Sequence, residues 1–126
     1  MGRLRDIVID AAHPATLARF WGEALDGYAI RPYDGEEIAR LARLGLTPET
    51  DPAVAVDGPG PTVFLQQTAE PKTARNRVHL DIAAATDRAA EVERLCGLGA
   101  TVRDVRDDHT VMQDPEGNEF CVRDPD

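Results

Sequence analysis

Two short stretches decide the fold, GYAI at Gly27–Ile30 and GATV at Gly99–Val102, because each ends a helical pattern and begins a strand. They lie 72 residues apart in the chain. Asp6–Asp10 and His79–Ala83 match in the same way at a spacing of 73, so one inserted residue aligns the two halves. Self-similarity at a fixed spacing is the signature of a repeated structural unit. We therefore expect a duplicated strand–helix–strand–strand–strand unit.

Period-two alternation and helical spacing of apolar residues predict the elements of each half. In the first half they are strand Asp6–Asp10, helix Ala15–Leu25, strand Tyr28–Tyr33, helix Glu36–Leu44, and strands Ala53–Val56 and Thr62–Gln67. After a polar linker they are strand Val78–Ala83, helix Asp87–Leu98, and strands Thr101–Arg106, His109–Gln113 and Asn118–Arg123. This order indicates an α+β fold with its helices on one side of the sheet. We expect one domain, 1–126, with modules at about 1–68 and 76–126.

Charge and composition exclude several classes of protein. The 126 residues include 23 acidic and 14 basic side chains, and the net charge of -9 argues against nucleic-acid binding or attachment to an anionic membrane. No run of residues approaches the roughly 18 apolar residues of a membrane span, and no signal peptide is recognisable. Cys96 and Cys121 are too few for a disulfide framework, so we expect free thiols and a cytoplasmic location.

Three motifs carry a resemblance to a known family: HPATLARFW at His13–Trp21, NRVHLD at Asn76–Asp81 and DPEGNEFC at Asp114–Cys121. With the repeat, they make the chain similar to the vicinal oxygen chelate superfamily of glyoxalases, bleomycin-resistance proteins and dioxygenases. It looks most like the small glyoxalase-like proteins of actinobacteria. The resemblance implies two tandem βαβββ modules whose mixed sheet forms a cup, with helices outside and a small-molecule ligand inside. It also implies a homodimer.

Strand alternation predicts which side chains face the cup and which face the helices. The residues expected inside are Asp6, Val8, Asp10, Thr62, Phe64, Gln66, His79, Asp81, Ala83, Glu119 and Cys121. Those expected under the helices are Ile7, Ile9, Val63, Leu65, Val78, Leu80, Ile82, Phe120 and Val122. On the helices themselves, Phe20, Trp21 and Cys96 are expected to be core residues. From the first set, the predicted pocket consists of Asp10, Phe64, Gln66, His79, Asp81, Glu119 and Cys121.

The resemblance also implies where a metal would be bound. Family members that use a metal place one ligand on each of four strands, and these positions fall here on Asp6, Gln66 (with Gln67 as the alternative), His79 and Cys121. The usual ligands are histidines and glutamates, and sometimes glutamine, so His79 and Gln66 match the pattern whereas Asp6 and Cys121 depart from it. We therefore predict no cofactor, with zinc as the alternative, because a thiolate disfavours Mg²⁺ and Mn²⁺.

Each candidate residue also has a structural interpretation. His79 could be a metal ligand or an acid–base group, or it could line the cup with a hydrogen bond to Asp81 or Gln66. Cys121 could supply a thiolate or be a small buried apolar residue. Glu119 and Asp81 could act as general bases if buried, whereas a solvated carboxylate at the rim is the simpler interpretation of Glu119. His109 could reach the mouth of the cup.

Two functional hypotheses follow. The first is a small-molecule-binding protein of the glyoxalase-like type. The alternative is a divalent-metal-dependent lyase, isomerase or oxygenase, in which the ion polarises neighbouring oxygens of the substrate. Whether the chain is an enzyme is left open by its sequence.

Overall fold

A computed structural model describes the whole chain, Met1–Asp126. The chain divides into two compact units, Met1–Pro71 and Lys72–Asp126, each with its own sheet. The first unit contains β1 (Asp6–Ala11), α1 (Pro14–Ala24), β2 (Ala29–Ile30), α2 (Gly35–Arg43), β3 (Ala53–Asp57) and β4 (Thr62–Gln67). The second unit contains β5 (Leu80–Ala83), α3 (Arg88–Gly97), β6 (Thr101–Val105), β7 (His109–Gln113) and β8 (Glu119–Arg123).

The two units share one topology. Their strand orders are β1-β4-β3-β2 and β5-β8-β7-β6, so the first and last strands of each unit are neighbours. That pair is parallel in both units, and the remaining neighbours are antiparallel. The α+β class and the two βαβββ modules expected from the sequence are therefore confirmed. Helix α2 is an insertion in the first unit that has no counterpart in the second.

Helix α1 forms the core of the first unit against one face of its sheet. Pro14 begins the helix, where its missing N–H group is not needed. Trp21 is 1% exposed and meets Phe20 edge to face, with ring centroids 5.2 Å apart. The buried residues of this core are Leu17, Ala18, Phe20, Trp21, Ala24, Val54, Val56, Val63 and Leu65. As expected, Val63 and Leu65 lie on the helix side of β4.

Helix α3 covers one face of the second sheet, and it buries fewer of its residues than α1 does. Its N-cap residue Asp87 accepts a hydrogen bond from the backbone N–H of Ala90 at 2.7 Å. Leu95 is the only buried residue of the helix. It shares a small core with Met112, Phe120 and Val122, which are also buried.

A glycine and a proline meet at the same topological position in both units. Gly27 and Gly99 follow the main helix of their units with φ angles of +75° and +114°. A Cβ atom at Gly27 would lie 3.3 Å from Pro59, and one at Gly99 would lie 3.3 Å from Pro115. Each proline belongs to the turn between the last two strands of its unit. Both glycines are needed because other residues rarely adopt a positive φ.

Three sequence-based expectations are corrected. Strand β2 pairs only over Ala29–Ile30 instead of reaching Tyr33, because Pro32 has no N–H group to continue the ladder. Val78 was expected under the helices but is 78% exposed, since β5 begins only at Leu80. Cys96 was expected in the core and is exposed, because one residue further along a helix points about 100° away from buried Leu95.

The Gly99 position gives the first testable prediction. Gly99→Ala should lower the free energy of unfolding by roughly 1–3 kcal/mol, because alanine is strained at positive φ and its Cβ would press on Pro115. Urea denaturation measures the change. Gly97→Ala is the matched control: it lies inside α3 with nothing within 4 Å of the added Cβ. That substitution should leave stability unchanged or raise it by up to about 1 kcal/mol. Equal effects at the two glycines would contradict this account.

Candidate functional site

The sheet face of the second unit that faces away from α3 carries an open cavity of about 630 Å³. Its wall is mostly charged, and Val111 and Cys121 form the apolar part. The lining residues are Arg75, His79, Arg103, Asp104, Arg106, Asp107, Asp108, His109, Val111, Glu119 and Cys121. Three of the residues that the sequence predicted for the pocket, His79, Glu119 and Cys121, therefore lie together here.

The register of β7 and β8 brings these side chains to one face. Val111 lies directly opposite Cys121, and His109 lies opposite Arg123. Met112, which lies between Val111 and Gln113 on β7, is completely buried on the other face with the core. Alternation along the two strands thus separates an apolar face under α3 from a polar face in the cavity.

An irregularity in β6 adds a cation to the cavity. Val102 pairs with Met112 and Asp104 pairs with Val111, so Arg103 is an extra residue outside the ladder. Such a bulge changes the direction in which the local side chains point. As a result, the consecutive residues Arg103 and Asp104 both line the cavity, whereas a regular strand would send one of them to the helix side.

Glu119 is buried and fully engaged. Its side chain is 6% exposed and accepts hydrogen bonds from the backbone N–H of Asn76 at 2.9 Å and from Lys72 Nζ at 3.1 Å. Burial raises the pKa of this carboxyl, but hydrogen bonds from the backbone N–H groups of Asn76 and Glu119 and from Lys72 lower it to about 2. The expectation of a solvated carboxylate at the rim was wrong. The pattern of β8 could not reveal this, because both partners lie more than forty residues earlier in the chain.

Cys121 is 6% exposed and lies opposite Asp81 in the β5–β8 pair. Burial and the neighbouring Asp81 carboxylate raise the pKa of the thiol. Asp81 itself accepts a hydrogen bond from Arg123 Nε at 2.9 Å and does not line the cavity. The thiol is therefore protonated at neutral pH, which is the opposite of an activated nucleophile.

Two histidines line the cavity with different partners. His79 Nε2 lies 3.2 Å from the backbone oxygen of Asn76, so its contact is neither of the two side chains proposed from the sequence. His109 Nδ1 lies 2.7 Å from a carboxylate oxygen of Asp108. The structure places His109 in the lining of this cavity, and its expected place at the mouth of the cup stays a prediction.

The first unit has a smaller cavity, of about 310 Å³, on the face of its sheet that carries Phe64. Arg31 lies over the Phe64 ring at 5.6 Å and makes two hydrogen bonds to Asp57. Tyr33 donates a hydrogen bond to buried Asp51 at 2.8 Å, and burial together with this bond raises the pKa of the phenol. The sequence predicted only Phe64 for this cavity, because most of its polar lining comes from the loop segments 31–34 and Asp51, which have no regular pattern.

Asp10 and Gln66, the other two residues of the predicted pocket, are partners in the β1–β4 ladder, and both are exposed. The implied metal ligand Asp6 instead lies opposite Thr62, four residues before Gln66. At about 3.3 Å per residue, that separation is roughly 13 Å, too far for one ion to bind both side chains. Gln67, the alternative ligand, is one residue further along the strand.

The donor set therefore does not suit a resident metal ion. Asp6 is already paired with Arg5 at 2.8 Å, and it lies four strand positions from Gln66 along the β1–β4 pair. Nowhere in the chain do three or more histidine, cysteine, aspartate or glutamate side chains form a cluster with the geometry of a metal site.

Comparison with known proteins places this geometry in context. The family model described as Glyoxalase-like domain matches residues 6–123. A glyoxalase/bleomycin resistance protein/dioxygenase family enzyme from Burkholderia phytofirmans PsJN is 14% identical, with a TM-score of 0.65 and 98% of each chain covered. An integron cassette protein from the mobile metagenome of V. cholerae is 17% identical, with a TM-score of 0.60, covering 98% of this chain and 95% of its own.

An oxidase, ChaP-H2, is 14% identical with a TM-score of 0.61, covering 99% of this chain and 94% of its own. Identities this low show a shared fold and nothing about chemistry. No curated protein matches the chain. None of the helices has both the length and the apolar character that crossing a membrane requires.

The contacts of Glu119 predict a pH dependence. Because the pKa of Glu119 is lower in the folded protein than its usual 4.5, the ionised carboxylate stabilises the fold above about pH 4.5. This stabilisation is lost as the pH falls from there toward 2. Glu119→Gln should lower the free energy of unfolding at pH 7 by roughly 1–3 kcal/mol, and the difference from the natural chain should shrink as the pH falls. Urea denaturation at several pH values measures it. Glu93→Gln on the exposed side of α3 is the control, and a deficit that is the same at pH 7 and pH 2.5 would argue against the assignment.

Proposed function

This chain belongs to the Glyoxalase-like domain family, and we propose that it is a small-molecule-binding protein whose ligand lies in the cavity of the second unit. The observation that carries the proposal is the cavity itself, about 630 Å³ on a sheet face that no helix covers. Ligand sites in proteins are commonly about 300–1,000 Å³. The cup expected between the two modules remains a prediction of the family resemblance.

The chemistry of the cavity favours binding over catalysis. A general base needs a free lone pair at working pH, but the Glu119 carboxylate is occupied by Asn76 and Lys72. A covalent nucleophile needs a thiolate, and the raised pKa of Cys121 disfavours it. The two histidines stay available as hydrogen-bonding groups toward a ligand.

The alternative, a metal-dependent lyase, isomerase or oxygenase, is less well supported. The oxidase among the similar structures shows that the fold can serve oxidation in another protein. In this chain, Asp6 and Gln66 lie four strand positions apart, and the Asp6 carboxylate is already paired with Arg5. We propose that the protein works without a resident divalent ion.

Filling the cavity tests the binding proposal. Val111→Trp places a large side chain on the cavity wall, so it should abolish the binding of small organic acids, amides and alcohols found by an NMR screen of the natural chain. In the natural chain, binding should shift the backbone amide signals of His109, Val111 and Cys121. Leu44→Trp is the control, because Leu44 is 63% exposed, belongs to the first unit and lies outside the lining. Ligands that shift other regions, or that bind the Val111→Trp protein equally well, would contradict the proposal.

Metal analysis tests the absence of a resident ion. The protein purified without added metal should contain well under one equivalent of any divalent ion, and a chelator should leave its melting temperature unchanged. His79→Ala serves as the comparison, because His79 is the one implied ligand of the usual family type. Stoichiometric zinc that disappears in His79→Ala would favour the enzyme alternative.

Assembly and location complete the proposal. Each sheet ends in strands that are unpaired on one side within that sheet, β1 and β2 in the first and β5 and β6 in the second. Val102 and Val105 on β6 are 46% and 69% exposed, which supports a homodimer that covers apolar surface. Light scattering at micromolar concentration should give the mass of two chains, and a single-chain mass would refute this. The two free cysteines fit a reducing cytoplasm.

A further inference from the structure

We propose that the ligand of the second unit's cavity carries an oxyanion, a carboxylate or a phosphoryl group, held by the guanidinium groups of Arg75 and Arg103. The inference rests on the proposed function, because it names the ligand class of the same cavity. It follows from the pairing of charges around the cavity wall.

Most of the acidic groups in this wall already have a cationic partner. Glu119 is bound by Lys72. Asp104 is bound by Arg106 at 2.6 Å. Asp108 contacts both His109, at 2.7 Å, and Arg123, at 3.6 Å. Asp107, on the exposed turn between β6 and β7, is the one lining carboxylate without such a partner.

Arg75 and Arg103 are the two lining arginines whose side chains have neither an ion pair nor a hydrogen bond. Both are exposed and both border the cavity. A guanidinium presents its donors in a fork that matches the two oxygens of a carboxylate or phosphoryl group. Two such forks with open donor positions on one cavity wall form an arrangement that suits an oxyanion.

Both arginines are held in place by features of the backbone. Arg103 is the extra residue of the β6 bulge, and Arg106 occupies the carboxylate of its neighbour Asp104. Arg75 directly precedes Asn76, which is anchored to β8 by two hydrogen bonds. The backbone N–H of Asn76 donates to the Glu119 carboxylate, and the side-chain amide of Asn76 donates to the Glu119 backbone carbonyl at 3.2 Å. The buried Glu119 is therefore a positioning residue for Arg75.

The net charge of -9 opposes anion binding at long range, but its effect is limited. At physiological salt the screening length is about 8 Å, so charges beyond the cavity contribute little at its wall. The preference for an anionic or a neutral ligand therefore depends on the lining groups that the ligand would touch. Val111 and Cys121 offer an apolar surface for the remainder of the ligand, so a small organic anion fits better than an inorganic ion alone.

A matched pair of probes tests the inference. Benzoate and benzamide have the same shape and differ in charge, and titration of each is followed by the amide signals of Val111 and Cys121. Benzoate should bind at least about tenfold more tightly than benzamide, and Arg103→Gln or Arg75→Gln should weaken benzoate about tenfold while leaving benzamide unchanged. Phenylphosphonate, titrated in parallel, distinguishes a phosphoryl from a carboxylate preference.

Arg94→Gln is the control, because it removes the same charge from α3, where Arg94 pairs with Glu91 outside the cavity. It should leave benzoate affinity unchanged. Equal affinity for benzoate and benzamide in the cavity would overturn the oxyanion inference and keep the proposed binding function. An equal loss in Arg94→Gln and Arg103→Gln would show an effect of overall charge and would also overturn it. No saturable shift at Val111 or Cys121 with any of the three probes would overturn both proposals.

Discussion

Each four-stranded sheet of this protein has one helix packed along it, and that constraint determines where function can lie. Helix α1 covers the sheet face that carries Val63 and Leu65, and α3 covers the face that carries Phe120 and Val122. The opposite faces are not covered by α1 or α3, and their alternate positions hold charged and polar residues beside a few apolar ones such as Phe64 and Val111. Both cavities are found on these open faces. The same alternation that builds the two cores thus produces the two candidate binding surfaces.

In the second unit, the pairing of the buried Glu119 carboxylate determines which charged groups on the cavity face stay unpaired. A buried carboxylate is stable only when its hydrogen-bonding positions are filled, and Asn76 and Lys72 fill those of Glu119. Because both partners come from the segment before β5, this segment lies against β8, and Arg75 therefore lies beside the cavity. The acid that looks most like a catalytic base therefore serves the structure, and the lining charges without a partner are two arginines, Arg75 and Arg103, and one carboxylate, Asp107.

Membership of a family with many activities does not by itself assign one to this chain. The positions that the resemblance associates with metal binding are occupied by Asp6, Gln66, His79 and Cys121. Two features of this chain do not suit such a metal site: the β1–β4 register separates Asp6 from Gln66, and Arg5 already pairs with the Asp6 carboxylate. These two features are the reason why we propose that the scaffold holds a molecule without activating it.

The sequence by itself determined the repeat, the α+β class and the face of most strands, because these depend on local periodicity that each segment carries. It correctly separated Leu65 from Gln66 and identified Phe20 and Trp21 as core residues. Only the tertiary structure decided the burial of Glu119, the exposure of Cys96, the bulge at Arg103 and the distance between Asp6 and Gln66. These properties depend on strand register and on partners distant in the chain. The pattern of one strand carries no information about which residue of a neighbouring strand lies opposite, or about a segment that returns to cover it.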